Sequence, residues 1–127
     1  VRAENTDDDR ALPQIPPLNG LVELSRTADS WDTGVRLRWA DRQSRADDDP
    51  TTGSGLDARE TPGYGVLDLF LRWSAGGLGE LGIGMDNALD KTYADHLNRA
   101  NQDPFNPDPL QVNEPGRTAW VNWRQAF

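Results

Sequence analysis

Apolar and polar residues alternate along several short segments of the chain, most clearly in WDTGVRLRW at residues 31–39. The odd positions carry Trp31, Thr33, Val35, Leu37 and Trp39. The even positions carry Asp32, Gly34, Arg36 and Arg38. Because successive side chains of a β-strand point to opposite faces, this period of two predicts a strand with one apolar and one charged face.

The same pattern, interrupted by turn residues, predicts an all-β chain of five antiparallel up-and-down strands. The predicted strands are residues 18–26, 31–39, 65–73, 80–87 and 117–127. Long loops are predicted at residues 40–63 and 88–116, and short turns at 27–30 and 74–79. Residues 1–17, which are acidic and then rich in proline, are predicted to form a loop before the first strand.

The strands at 31–39 and 65–73 are predicted to pair with Trp31 opposite Trp73. This register brings opposite charges together in two pairs, Asp32 with Arg72 and Arg36 with Asp68. It also sets Val35 against Leu69 and Leu37 against Leu67 on the other face. Cross-strand pairs of opposite charge and of aliphatic side chains both stabilise a sheet, which is why we favour this register.

Composition narrows the classes of function. The formal net charge is -8 and the sequence pI about 4.5, which argues against nucleic acid as a partner because phosphates attract Lys and Arg. The absence of cysteine excludes disulfides and thiolate metal sites. No apolar run approaches the ~20 residues of a transmembrane helix. The polar start shows no signal peptide, so we expect the first residues to be an internal cut in a longer, exported protein.

Two architectures fit strands with one apolar and one charged face. A soluble sandwich buries the apolar face, whereas an outer-membrane barrel turns it to lipid and encloses the charged face. Short and long connections alternate here, as they do between the periplasmic turns and extracellular loops of outer-membrane barrels. Trp31 and Trp39 bracket one apolar face, and Trp73 ends the next strand beside Trp31, as aromatic girdles would. These features favour the barrel.

Several motifs resemble one bacterial family. The segments TPGYGVLDLFLRW, GMDNALDKTYADH and NEPGRTAWVNWRQAF are similar, in order and spacing, to the last strands of TonB-dependent receptors. Within that family, LPQIPPL, HLNRA and VNEPGRT look most like the copper-receptor subgroup. The resemblance covers about residues 12–127.

The resemblance implies the C-terminal section of a plugged outer-membrane barrel of ~22 strands in a Gram-negative bacterium. The implied function is energy-coupled uptake of a scarce ligand, copper or another metal or siderophore. The implied partners are outer-membrane lipid, the plug and the remaining strands of the same protein, and a periplasmic energy-coupling protein. A passive porin-like barrel and a secreted acidic β-sandwich that binds another molecule remain alternatives, and no enzyme activity is expected.

The candidate residues fall into three groups. Structural roles in the last loop and strand are expected for Asn87, Asp90, Lys91, Tyr93 and Phe127. The charges expected to face the barrel interior are Asp32, Arg36, Arg38, Asp68 and Arg72. The expected membrane girdle is Trp31, Trp39 and Trp73.

No cofactor, metal site or catalytic set is predicted. His96 and Met85 are the only histidine and methionine, and with no cysteine they cannot form a soft copper site alone. His96 is expected to be solvated in the final loop, and Met85 to face lipid. The acidic runs at 7–9 and 47–49 lack the ligand spacing of a Ca²⁺ loop and are expected to be solvated.

Overall fold

The computed structural model describes residues 4–5, 10–47, 51, 57, 59–98 and 111–125. Its strands are β1 (Glu4–Asn5), β2 (Arg10–Ala11), β3 (Asn19–Ala28), β4 (Trp31–Ala40), β5 (Tyr64–Ser74), β6 (Glu80–Asp86) and β7 (Thr118–Arg124). One turn of 3₁₀ helix, Gly76–Leu78, lies between β5 and β6. No helix in these ranges is long and apolar enough to span a membrane.

Strands β3 to β7 form one sheet in chain order, and each strand pairs with its neighbour in sequence. The expected fold class, five antiparallel up-and-down strands in an all-β chain, is confirmed. Short turns join β3 to β4 and β5 to β6, and Asp29 in the first of them has a positive φ of 51°. The long connections between β4 and β5 and between β6 and β7 start from the other end of the strands.

Contacts between β4 and β5 join residues that the expected register places opposite each other. The Trp31 and Trp73 rings stack with centroids 5.6 Å apart, and the Ser74 N–H donates to the Ser30 carbonyl at 2.8 Å. The Arg72 guanidinium lies 3.2 Å from the Asp32 carboxylate. Three independent contacts therefore agree with the alignment of Trp31 with Trp73.

The two faces of the sheet differ in chemistry and in exposure. The aliphatic face consists of Leu24, Val35, Leu37, Leu69, Leu71, Ile83, Met85, Ala119, Val121 and their neighbours at alternate strand positions. Val35, Leu37 and Leu69 are 39%, 43% and 40% exposed, so no described segment covers this face as a second layer. The polar face carries Asp68 and Phe70, both buried. A soluble sandwich would have buried the aliphatic side chains instead.

The described chain divides into two compact units. The sheet unit consists of Gly20–Trp39, Gly65–Lys91 and Pro115–Phe127, and the loop unit of Val1–Asn19, Ala40–Tyr64 and Thr92–Glu114. Within the loop unit β1 pairs with β2, so the first predicted loop contains a two-residue antiparallel ladder. An isolated bridge joins Gln43 and Thr61 across the loop predicted at 40–63.

Candidate functional site

The polar face of the sheet gathers all five charges that the alternation predicted for one side. Asp32, Arg36, Arg38, Asp68 and Arg72 lie on β4 and β5 and are joined to one another or to neighbours on the same face. Their alternation follows from the strand period of two, which puts every second residue on one side. The sheet thus presents a continuous charged surface, and it is the strongest candidate for a functional surface in the sheet unit.

Asp68 is the most constrained charge on this face. Its carboxylate accepts a forked pair of hydrogen bonds from Arg38, from Nε at 2.7 Å and from Nη2 at 3.1 Å. Its Oδ1 also accepts the backbone N–H of Asn87 at 2.9 Å. The residue is only 4% exposed, so these bonds replace water around a buried carboxylate. Asp68 therefore joins Arg38 of β4 to the start of the segment that follows β6.

Arg36 has a different partner from the expected one. Its Nε and Nη2 lie 2.9 and 2.8 Å from Oε2 of Glu23 on β3, whereas Arg38 takes the Asp68 carboxylate. The register that sets Arg36 opposite Asp68 agrees with the contacts at the Trp31 end, but the Arg36 guanidinium pairs with Glu23, because β3 supplies a competing carboxylate. The structure extends β3 to Ala28 and leaves a two-residue turn at 29–30, shorter than the turn predicted at 27–30, and this hairpin sets Glu23 across from Arg36.

Phe70 lies among the charges and was not predicted as part of the site. The guanidinium carbons of Arg72 and Arg36 lie 4.9 and 6.0 Å from its ring centroid. The ring also covers Gly34 on β4, where an added Cβ would lie 2.5 Å from the ring. Cation–π contact orients both arginines, so the polar face is an ordered surface of alternating charge around one aromatic ring.

Asn87 and Asp90 hold the segment after β6 in place. Both have positive φ angles, 50° and 54°. The Asn87 side chain accepts the Lys91 N–H at 2.8 Å and donates to the carbonyls of Lys91 and Pro115 at 2.8 and 3.3 Å. Asp90 accepts the Arg117 N–H at 2.9 Å. These bonds join both ends of the long β6–β7 connection, and Lys91 takes part through its backbone.

Replacing Asn87 with alanine is expected to loosen this connection. The residue is 2% exposed, and alanine would lose three side-chain hydrogen bonds while keeping an unfavourable left-handed backbone. A cost of about 2 to 4 kcal/mol should raise the rate of limited proteolysis between residues 88 and 116 at least tenfold in the purified full-length protein. Asn87→Gly, which tolerates the backbone, should fall between wild type and alanine. An unchanged cleavage rate in both variants would refute the role.

Tryptophans occupy both ends of the aliphatic face. Trp31 and Trp73 stack at the end of the sheet that has the short turns. Trp123 lies at the same level, because Leu81 of β6 is paired with Trp73 on one side and with Trp123 on the other. Trp39 lies toward the other end, where its ring is 3.0 Å from a Cβ placed on Gly20. Trp123 is 51% exposed and was not included in the predicted girdle. Trp123 lies two residues after Val121 and therefore on the same face of the strand, and this spacing was the sequence signal for including it in the girdle.

The loop unit contains a buried polar cluster that the sequence did not reveal. The Asp57 carboxylate accepts the backbone N–H groups of Gln14 and Asp47 at 2.8 and 2.9 Å. His96 is 6% exposed, and its Nδ1 lies 3.0 Å from the Thr61 hydroxyl. The expectation that His96 is solvated is therefore wrong. Contacts across 35 residues bury it, and local sequence carries no signal for them.

Tyr93 is buried in the same unit. Its ring lies 4.5 Å from that of Tyr64 between centroids, and its carbonyl accepts the Glu114 N–H at 2.8 Å. Within the described ranges, no three His, Cys, Asp or Glu side chains are placed so that they could hold a metal ion. Phe127, residues 7–9 and residues 48–49 lie outside those ranges.

Comparison with known proteins agrees with this geometry. Residues 1–88 match a family model described as TonB dependent receptor-like, beta-barrel. A search of curated proteins found no match.

A solved structure of a protein described as copper transporter OprC is similar to this chain, with 36% sequence identity and a TM-score of 0.78. The similarity covers 93% of this chain and 18% of that protein, so the chain spans less than a fifth of its relative. This agrees with the copper-receptor subgroup that the motifs indicated. The family model covers well over half of the chain, and the sheet is open and antiparallel as a section of a barrel would be. The chain therefore belongs to the TonB-dependent receptor family, as part of its β-barrel.

Proposed function

We propose that this chain is a wall segment of a TonB-dependent outer-membrane transporter that takes up a scarce ligand with energy supplied from the periplasm. The observation that carries the proposal is the two-sided sheet, exposed and aliphatic on one face and charged on the other. In a plugged barrel the aliphatic face contacts outer-membrane lipid, and the polar face surrounds the interior.

The residues take roles that follow from this orientation. Trp31, Trp73 and Trp123 form the girdle at the periplasmic end, and Trp39 belongs to the opposite girdle. The charges on the polar face pair with one another and contact the plug, so their role is to order the interior wall. The N-terminal part of the complete receptor contacts the periplasmic energy-coupling protein.

Copper is the first candidate for the ligand. The motifs resemble the copper-receptor subgroup, and the similar solved structure is described as a copper transporter. This chain has no cysteine, one histidine and one methionine. Copper prefers sulfur and imidazole ligands, so we place the copper ligands in other parts of the complete receptor.

Copper accumulation in cells tests this proposal. Cells that carry the complete receptor should accumulate several times more copper under limitation than cells from which it is deleted. A protonophore, or removal of the energy-coupling protein, should abolish the difference, because plugged transport requires energy. Accumulation that persists without energy coupling would instead indicate a passive porin-like barrel. Equal accumulation with and without the receptor would reject copper as the ligand, and a siderophore-bound metal would then be assayed in the same way.

A further inference from the structure

Arg26 is an anomaly on the aliphatic face. In β3 the side chains of Glu23 and Thr27 contact Arg36 and Asp32 on the polar face, so Leu24 and Arg26 point to the other side. Gly20 agrees, since its Cβ position meets Trp39 on that side. Among the strand positions that the structure describes, Arg26 is the one charged residue on the aliphatic face. It is exposed, and none of the ion pairs among the described residues includes it.

The position of Arg26 relative to the membrane follows from the strand geometry. It lies two residues before β3 ends at Ala28, beside the turn that leads to Trp31. Two residues at ~3.3 Å rise and ~40° tilt place its Cα roughly 5 Å inside the level of the tryptophan girdle. A guanidinium held in hydrocarbon is unfavourable, but its long stem can carry the charge back to the interface. At that level it meets the phosphates of the periplasmic leaflet.

A groove on the aliphatic face lies beside this charge. The groove is shallow and open to one side, and its lining on that face comes from β3 to β7, with Arg26 among the lining residues. The lining includes Leu24, Val35, Leu71, Ile83 and Val121. An apolar groove with a cation at its periplasmic end complements a lipid with acyl chains and an anionic headgroup.

We propose that Arg26 binds the phosphate of a glycerophospholipid of the periplasmic leaflet, whose acyl chains lie in this groove. The proposal rests on the orientation of the sheet in the proposed function, since it requires the aliphatic face to contact lipid. The proposed site holds a lipid at the barrel surface, in the periplasmic leaflet, with Arg26 as its headgroup contact. The headgroup contact is electrostatic, and the groove contributes apolar contact to the chains.

Native mass spectrometry of the complete receptor in detergent tests the site, with dioleoylphosphatidylglycerol as the probe. Arg26→Gln should weaken binding of the tightest lipid about fivefold, the effect of one arginine near a membrane surface. Arg26→Lys should bind within twofold of wild type, because it keeps the charge. Arg124→Gln is the matched control, since it removes one positive charge from an exposed side chain on the polar face at the same end of the sheet.

Three results would overturn the proposal. Equal lipid binding by wild type and Arg26→Gln would show that the guanidinium binds no phosphate. This result is expected if an acidic residue of another strand of the complete receptor forms an ion pair with Arg26. An equal loss in Arg124→Gln would indicate a general effect of net charge. An equal loss for dioleoylglycerol, which lacks phosphate, would assign the effect to the shape of the groove.

Copper accumulation measured for the same variants separates this inference from the proposed function. If copper accumulation requires the receptor and energy coupling, but lipid binding is the same in wild type and Arg26→Gln, only the lipid site is rejected. If lipid binding depends on Arg26 while accumulation shows no dependence on the receptor, only the transport proposal is rejected.

Discussion

Replacing Asp68 with alanine is expected to lower the free energy of unfolding of the complete receptor by about 3 to 5 kcal/mol, because three charge-assisted hydrogen bonds to a buried carboxylate are lost. Asp68 is 4% exposed and accepts three hydrogen bonds, two from Arg38 and one from the Asn87 N–H. The substitution leaves the Arg38 charge without this carboxylate and the Asn87 donor without its acceptor. Guanidinium unfolding in lipid vesicles, followed by tryptophan fluorescence, measures the change.

Glu23→Gln is the matched control for this prediction. It removes a carboxylate from the other arginine pair on the polar face. The two arginine side chains are equally exposed, at 37%, but the Glu23 side chain is 33% exposed and that of Asp68 only 6%. Exposed pairs contribute less than about 1 kcal/mol, so this variant should unfold nearly like wild type. Equal costs for Asp68→Ala and Glu23→Gln would contradict the burial argument.

The assignment of residues to the polar and aliphatic faces of the sheet could be predicted, because it depends only on the local sequence of each strand. Strand alternation fixes which residues share a face, whatever covers that face, so the patterns at 31–39 and 65–73 identified the five charges directly. Pairing Trp31 with Trp73 also matched Asp32 with Arg72, and both contacts occur in the structure. The exposed aliphatic face could not be separated from a sandwich by pattern alone, since both architectures alternate in the same way.

The choice of ion-pair partners could not be predicted from two strands considered in isolation. Opposite and diagonal neighbours are both within reach of an arginine, and β3 adds a third strand with its own carboxylate. Glu23 on β3 forms an ion pair with Arg36. Arg38 then forms its ion pair with Asp68, its diagonal neighbour on β5. Partner selection is a property of the whole sheet, whereas the face of each residue is a property of its strand.

Burial in the loop unit was beyond prediction for a similar reason. His96 lies in a polar segment with turn residues on both sides, which is typical of an exposed loop. Its burial depends on Thr61 and Asp57, which reach it from the preceding long connection. No periodicity links segments that lack regular structure, so the polar cluster becomes visible only when the loops are placed in space.

A second large effect is expected where side chains cover glycines on the polar face. Gly34→Ala should lower the free energy of unfolding by about 1 to 3 kcal/mol, the usual cost of overpacking. The new Cβ would lie 2.5 Å from Cζ of Phe70 and 2.7 Å from the backbone oxygen of Leu24. The ring can rotate away only by leaving its contacts with Arg36 and Arg72, and the backbone oxygen cannot move without shifting β3.

Gly65→Ala on β5 is the control that isolates this steric effect, because nothing lies within 4 Å of a Cβ at that position. It makes the same chemical change in a strand of the same sheet and should leave the unfolding midpoint unchanged or slightly raised, since alanine restricts the unfolded chain more than glycine does. Combining Gly34→Ala with Phe70→Leu should restore only part of the loss, because the smaller side chain frees the ring's space while the Leu24 carbonyl still obstructs the methyl group. Full restoration would show that the ring alone sets the spacing between β4 and β5. Equal unfolding midpoints for Gly34→Ala and Gly65→Ala would contradict the prediction, because they would show that the strands make room for the new methyl group without a loss of stability.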